Sequence, residues 1–354
     1  MRLKDISFPN LRNPLWQILH EGGWDSTVTQ STVITPNIVR TALDIVKQFT
    51  TEFNSWLVQH GVDTVQVGHP LGSTAWHGQD QEDKAYGDID LQMVAASVDV
   101  ADTPSKFSAY WNKLLDQYIA EKKPSMIYDT GKPSSGHLVV SLGNDQYVQV
   151  DMIWTEASLS NWARYRMTPA HNIKGATYGN LFSTLGEIMH MSIQSAGVQM
   201  KIKDDEPVSF SKSRKFDRLE TLTTNIESFG LDIAKQLYRK MYPGKDTAQI
   251  KIDPLLRKRP GIDTNAITAA NLVSVVKGVG RTFELNNMYG RYNLKDIANY
   301  EDFIHKFKDH YMEKLHAAIG DNKFNKAETP EAKARAEDVK EKLLSHGTAI
   351  MNLF

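Results

Sequence analysis

Residues 88–91 alternate acidic and apolar side chains, in the order Asp88, Ile89, Asp90 and Leu91. In a β-strand, alternate residues point to the same side of the sheet. Ile89 and Leu91 therefore face a core, while the two carboxylates project together from the other face. This pattern predicts a sheet with one buried face and a pair of negative charges on its opposite face.

A third carboxylate, Asp151, lies between Val150 and Met152 in another β-rich segment. On a neighbouring strand it would join Asp88 and Asp90. Three converging carboxylates repel one another strongly unless a divalent cation lies between them. Because all the ligands are oxygens, the cation we predict is Mg²⁺ or Mn²⁺. Two such ions support phosphoryl or nucleotidyl transfer by activating a hydroxyl and neutralising phosphate charge.

A glycine-containing turn precedes this acidic strand. Gly72, Ser73 and Thr74 follow a short apolar run, and Gly87 comes fourteen residues after Ser73. A glycine lets the backbone approach a phosphate closely, and free N–H groups with a serine hydroxyl at a helix start can hold a triphosphate. We therefore predict that Gly72, Ser73 and Thr74 bind the nucleotide.

Residues 61–155 resemble the polymerase-beta-like nucleotidyltransferase superfamily. The resemblance lies in the order of three motifs: a Gly-Ser turn, then Asp-x-Asp on a strand, then a third Asp on a later strand. The resemblance implies transfer of a nucleoside monophosphate from a nucleoside triphosphate, such as ATP, to a hydroxyl with release of pyrophosphate. It also implies that Asp88 and Asp90 bind both metal ions, and that Asp151 completes the second site and helps to deprotonate the acceptor. Gly72 and Ser73 would hold the β and γ phosphates.

Within that superfamily, the motifs Gly-Ser-Thr-Ala and Gly-Asp-Ile-Asp-Leu look most like archaeal-type CCA-adding and related template-independent enzymes. The chain departs from their pattern in two places. The loop from Ser73 to Asp88 is slightly longer than the commonest spacing, and Trp76 and His77 stand where a basic residue and a glycine are usual. Either change can alter the donor or the acceptor.

The remaining periodicity predicts an α+β fold: a nucleotidyltransferase domain with a small mixed sheet flanked by helices, followed by a mainly helical C-terminal domain. We expect an N-terminal helical segment at residues 1–60, the catalytic domain at 61–165 and an acceptor-binding domain at 166–354. The predicted strands are 64–67, 89–94, 137–142 and 147–154, with the last two joined by a three-residue hairpin loop. The predicted helices lie at 36–61, 104–122, 177–196, 217–242, 263–278, 296–319 and 329–347.

Basic residues downstream give further candidates. Arg166 and Lys174 follow the third carboxylate and could contact donor phosphates. Lys212, Arg214 and Lys215 could grip a nucleic-acid backbone, since residues 201–260 hold 14 Lys and Arg against 9 Asp and Glu, whereas residues 1–100 hold 6 against 12. This asymmetry favours an RNA or DNA 3′ end as acceptor.

Composition excludes several classes of protein. With no cysteine, the chain has no disulfide, thiolate metal site or cysteine nucleophile. A run of 18 apolar residues does not occur, and the first ten residues carry charges and a proline, so we expect no membrane span, no signal peptide and a cytoplasmic location. The oligomeric state cannot be read from these patterns.

Other functions remain compatible with these residues. The acceptor could be a small-molecule hydroxyl or a protein side chain. A non-catalytic nucleotidyltransferase-like binding module could keep the carboxylates as a vestige, and metal-dependent phosphodiester hydrolysis could use them as well.

Overall fold

A computed structural model describes residues 33–79, 84–98, 104–129, 136–170, 175–194, 196–208, 215–257, 262–263, 266–291, 294–320 and 330–354. The expected α+β class is confirmed: a small mixed sheet lies in the first half, and the second half is mainly helical. Of the predicted N-terminal segment 1–60, residues 1–32 lie outside the described part of the chain.

The first half forms one layer of strands and two long helices. Its elements are α1 Pro36–Gln59, β1 Gln66–Pro70, β2 Ile89–Ala95, α2 Pro104–Lys122, β3 Ile127–Asp129, β4 His137–Gly143 and β5 Gln146–Glu156. Helix α1 begins as its sequence indicates, because Thr35 caps it by accepting the Ile38 N–H and Pro36 is its first residue. The apolar face of α1 shares one core with the strands, which include buried Ile89 and Leu91.

Five strands form the sheet, in the order β1-β2-β5-β4-β3. The central pair, β2 and β5, is parallel, and the other pairs are antiparallel. Parallel neighbours need a crossover connection, and α2 provides it between the two strands as predicted. The register places Asp90 opposite Asp151, so the sheet brings together carboxylates that are 61 positions apart in the sequence.

The second half contains helices around a second, smaller sheet. Its elements are α3 Ser160–Met167, α4 Gly175–Ile188, β6 Met191–Gln194, β7 Gly197–Lys203, β8 Glu206–Val208, β9 Arg218–Thr223, α5 Phe229–Met241, α6 Pro254–Arg257, β10 Ile262–Asp263, β11 Ala266–Ile267, α7 Ala269–Leu285, α8 Tyr300–Ile319 and α9 Pro330–Met351. Their buried side chains form a separate core that runs from Trp162 to Ile350. The domain limits at residues 60 and 165 remain predictions.

Two predicted helices are wrong in part. The helix expected at 177–196 ends at Ile188, where His190 adopts a positive φ of 54° and turns the chain into β6. The helix expected at 217–242 begins only at Phe229, because residues 218–223 form β9. Strands β6, β8 and β9 all pair antiparallel with β7, whose Val198, Met200 and Ile202 are buried on one face.

Two smaller details also differ from the expectations. The loop between β4 and β5 has two residues, Asn144 and Asp145, both at positive φ, rather than three. The helix expected at 263–278 is α7, which starts at Ala269 behind the short β10–β11 pair. Among the described helices, none has the length and apolar character needed to cross a membrane.

Candidate active site

The three predicted carboxylates lie together at one end of the parallel strand pair. Asp88 stands just before β2, Asp90 is its second residue, and Asp151 lies opposite Asp90 on β5. One carboxylate oxygen from each residue lies within 4.8 Å of those of the other two. All three side chains are half-buried, so the cluster is open on one side.

Crowding and burial make this cluster costly to ionise. Burial and then the charge of Asp151 raise the pKa of Asp88 to about 6. Burial, followed by the charges of Asp88 and Asp151, raises the pKa of Asp90 to about 7. A site with three hard oxygen donors and unfavourable charge repulsion fits a divalent cation such as Mg²⁺ or Mn²⁺.

The glycine turn packs directly against Asp90. Gly72 opens a short 3₁₀ helix, Gly72–Trp76, with a φ of +55°, a conformation that favours glycine. A Cβ on Gly72 would lie 2.5 Å from Asp90 Oδ2, so any side chain at this position would displace the Asp90 carboxylate. The Leu71 N–H also donates to the Asp90 carbonyl at 2.8 Å. The backbone of the turn therefore lies beside the acidic cluster.

The two hydroxyl residues of the turn differ in their surroundings. Ser73 is exposed and lies beside Gly72. Thr74 is buried, and its hydroxyl donates to the Leu71 carbonyl at 2.8 Å, so this hydroxyl holds the turn in shape. Nucleotide binding by Gly72, Ser73 and Thr74 remains a prediction.

Sequence reasoning missed two residues of the site, His137 and Gln149. His137 Nδ1 lies 2.6 Å from Asp151 Oδ1, and Gln149 Nε2 donates to the same oxygen at 2.7 Å. Gln149 is two residues before Asp151 on β5, and His137 is opposite Asp151 on β4. The Gln-x-Asp spacing and the hairpin register are the signals from which they could have been found.

Of the two downstream residues predicted to contact donor phosphates, the structure describes only Arg166. Arg166 lies in the C-terminal core, where its Nε donates to the Ile193 carbonyl at 3.2 Å and its guanidinium lies 4.9 Å from the centre of the Phe182 ring. Burial lowers the pKa of Arg166. Lys174 lies outside the described residues. Neither of these contacts of Arg166 is to the three carboxylates, and its role in nucleotide binding remains a prediction.

The predicted nucleic-acid loop is described only at its end. Lys215 is exposed, whereas Lys212 and Arg214 lie outside the described residues. The role of all three in nucleic-acid binding remains a prediction.

Two hydrogen bonds join the glycine turn and β2 to the segment of the chain that follows β5. Buried Gln92, on the same face of β2 as Asp90, donates to the Ser160 carbonyl at the start of α3 at 2.9 Å. Trp76, at the end of the glycine turn, donates from Nε1 to the Pro169 carbonyl at 3.1 Å. The turn and β2 are thus each hydrogen-bonded to the segment that follows β5.

Comparison with known proteins gives limited similarity. No family model matches the sequence, and no curated protein matches it significantly. Among solved structures, CdnC of Escherichia coli MS115-1 with ATP is similar at 11% identity and a TM-score of 0.26, over 84% of this chain and 98% of that chain. The CdnC:HORMA-deltaN complex from the same strain is similar at 10% identity and a TM-score of 0.22, over 77% and 92%. At such TM-scores, the function of this chain has to be argued from its own site.

Proposed function

We propose that this protein transfers a nucleoside monophosphate from a nucleoside triphosphate to a hydroxyl group, with release of pyrophosphate, and that it needs Mg²⁺ or Mn²⁺. The observation that carries the proposal is the convergence of Asp88, Asp90 and Asp151 beside the backbone of the Gly72 turn. The cluster provides oxygen ligands, and the turn provides close backbone access for phosphates.

Each residue has a role that follows from its place. Asp88 and Asp90 project from one strand end and would hold the cations between themselves and Asp151. When bound, divalent ions lower the pKa of the attacking hydroxyl and offset charge on the phosphates. Asp151, on the neighbouring strand, would receive the proton of the acceptor hydroxyl. The exposed Ser73 hydroxyl and the N–H groups around it would hold the β and γ phosphates.

For the acceptor we propose a nucleic-acid 3′ end, with RNA preferred. Supporting this is the excess of basic residues at 201–260, which includes exposed Lys215. Binding through phosphates weakens steeply as salt rises, so RNA affinity should fall with increasing salt. The residues that contact the acceptor would then lie in the second half of the chain.

A labelling experiment tests the activity. The purified protein is incubated with Mg²⁺ or Mn²⁺, each of the four α-labelled ribonucleoside triphosphates and mixed cellular RNA. Controls are Asp88→Asn and Asp90→Asn, which remove charge from the site, and Asp63→Asn, which removes the same charge from an exposed position. We expect metal-dependent label on RNA and pyrophosphate release from the wild type and Asp63→Asn only. The two site variants should stay folded and lose several orders of magnitude in turnover.

Other outcomes redirect or refute the proposal. Label on the protein itself would replace RNA with a protein acceptor. Pyrophosphate release without labelled macromolecule would indicate a small-molecule acceptor. Cleavage of RNA without pyrophosphate release would favour hydrolysis. If the triphosphate neither reacts nor binds in a metal-dependent way, the carboxylates are not a transferase site.

A further inference from the structure

Asp151 receives two hydrogen-bond donors on the same oxygen. His137 Nδ1 lies 2.6 Å from Asp151 Oδ1, and Gln149 Nε2 lies 2.7 Å from it. Beside an ionised Asp151, Nδ1 must carry the hydrogen, because two acceptors do not bond each other. The Gln149 amide nitrogen lies 3.4 Å from the same Nδ1, and both donors are directed at Asp151. The carboxylate is therefore held from two sides through one of its oxygens.

The sheet itself enforces this arrangement. The β4–β5 register sets His137 directly opposite Asp151, and Gln149 shares the face of β5 with Asp151 because alternate residues point the same way. Gln149 is only 3% exposed, although an uncharged amide prefers water, so its burial needs a partner within the protein. Asp151 Oδ1 is that partner.

Holding one oxygen has a consequence for the other. An ionised carboxylate has about four acceptor positions on two oxygens. The torsion that sets the plane of an aspartate carboxylate is broad and poorly defined on its own. Donors from two strands that meet on Oδ1 define this plane, and leave Oδ2 for a cation and for the acceptor hydroxyl.

We propose that His137 and Gln149 are positioning residues that fix the orientation of the Asp151 carboxylate towards Asp88 and Asp90. This inference rests on the proposed function, since it assigns the pair a purpose in metal binding and transfer. His137 and Gln149 touch Asp151 and act through it.

Two substitutions at His137 and one at Gln149 test the inference. His137→Ala removes the donor, whereas His137→Asn keeps a side-chain N–H near the position of Nδ1. Gln149→Leu removes the second donor with little change in volume. His305→Ala is the matched control, because His305 is exposed on α8. Each protein is measured for Mn²⁺ affinity by calorimetry with the metal alone, for kcat and KM of transfer, and for Tm.

Removal of residues that orient metal ligands costs about 10–100-fold in metal affinity or activity. We therefore expect His137→Ala and Gln149→Leu to weaken Mn²⁺ binding and lower kcat by about tenfold or more, with the KM for the triphosphate nearly unchanged. His137→Asn should recover most of both losses, and His305→Ala should match the wild type.

The possible failures are distinguishable. If the wild type binds Mn²⁺ no better than Asp88→Asn, the proposed function fails. If the wild type binds and transfers, but His137→Ala does both equally well, the positioning role is wrong. It is also wrong if His137→Asn is as defective as His137→Ala with the same fall in Tm, because His137 would then only stabilise the fold. Should His137→Ala not fold, Gln149→Leu and His137→Asn still decide the question.

Discussion

Asp90 should destabilise the metal-free protein at neutral pH. Burial, with the charges of Asp88 and Asp151, raises the pKa of Asp90 from its ordinary value of 3.8 to about 7. Between these two pH values the folded protein keeps a proton on Asp90 that the unfolded chain has lost. The free energy of unfolding therefore falls as pH rises through this window, and the full penalty is present above about pH 7.

The size of the effect follows from the two pKa values. At about 1.4 kcal/mol per pKa unit, the difference between 3.8 and about 7 corresponds to roughly 4 kcal/mol. Part of the shift comes from the charges of Asp88 and Asp151, so the penalty is not assigned to Asp90 alone. We expect Asp90→Asn to raise the free energy of unfolding by about 2–4 kcal/mol at pH 8 without metal.

Urea unfolding at pH 8 in EDTA measures this gain, with Asp63→Asn as the variant that loses an exposed charge. At pH 4.5 the gain should shrink to about 1 kcal/mol, because Asp90 is then protonated in the folded wild type. Added Mg²⁺ should stabilise the wild type and not Asp90→Asn. The reasoning is refuted if Asp90→Asn is no more stable than the wild type at pH 8 in EDTA, or if its gain is the same at both pH values.

Three further outcomes follow from the site. Gly72→Ala should lower the free energy of unfolding by at least about 1–2 kcal/mol and abolish transfer, because alanine is strained at a φ of +55° and its Cβ would meet Asp90 Oδ2. Urea unfolding and turnover measure these two losses. Gly78→Ala is the control and should change neither quantity, since the space around its Cβ is open. Mg²⁺ affinity measured by calorimetry should rise between pH 5 and 8, because Asp88 and Asp90, with pKa values of about 6 and about 7, must lose their protons to bind the cation; a flat profile would contradict this. Trp76→Phe keeps an aromatic side chain, although a smaller one, but loses the hydrogen bond to the Pro169 carbonyl, so the free energy of unfolding should fall by at least about 1 kcal/mol. An unchanged urea midpoint would show that this bond contributes nothing.

The acidic cluster could be predicted because its signal is local. Asp88 and Asp90 alternate with Ile89 and Leu91, so a strand alone places both carboxylates on one face. Asp151 sits in an equally clear apolar strand. Convergence required only that the two strands be neighbours, and β2 and β5 pair in parallel.

His137 could not be assigned in the same way, since its contact depends on the hairpin register. The turn at Asn144 and Asp145 pairs Gly143 with Gln146, and an irregularity between Ser141 and Gly143 then shifts the register by one residue, which sets His137 opposite Asp151. A register that differs by one residue turns every side chain of a strand to the other face. The contact of His137 with Asp151 therefore depends on an irregularity in β4 that the sequence did not reveal.

The second sheet was missed for a different reason. Val198, Met200 and Ile202 alternate with polar residues and carry a strand signal, but the expected helix was extended over β6 to residue 196 because no proline or glycine stands between Ile188 and Met191. The break is His190, a non-glycine residue at positive φ, which sequence patterns rarely indicate. The burial of Arg166 against Phe182 was likewise not evident from the sequence, because it depends on how α3 packs on the second core; the role of Arg166 in nucleotide binding stays a prediction.

The parallel pairing of β2 with β5 also affects how the protein folds. The two halves of the acidic cluster are separated in the chain by α2, β3, β4 and the hairpin turn, so this whole segment must be closed into a loop before they meet. Pairings between distant segments form slowly, since the intervening loop must close before contacts compensate for it. During synthesis, a ribosome-bound chain that ends before residue 146 lacks Asp151. Divalent cation binding would thus appear only after β5 has been made, and would mark the chains in which the first half has folded.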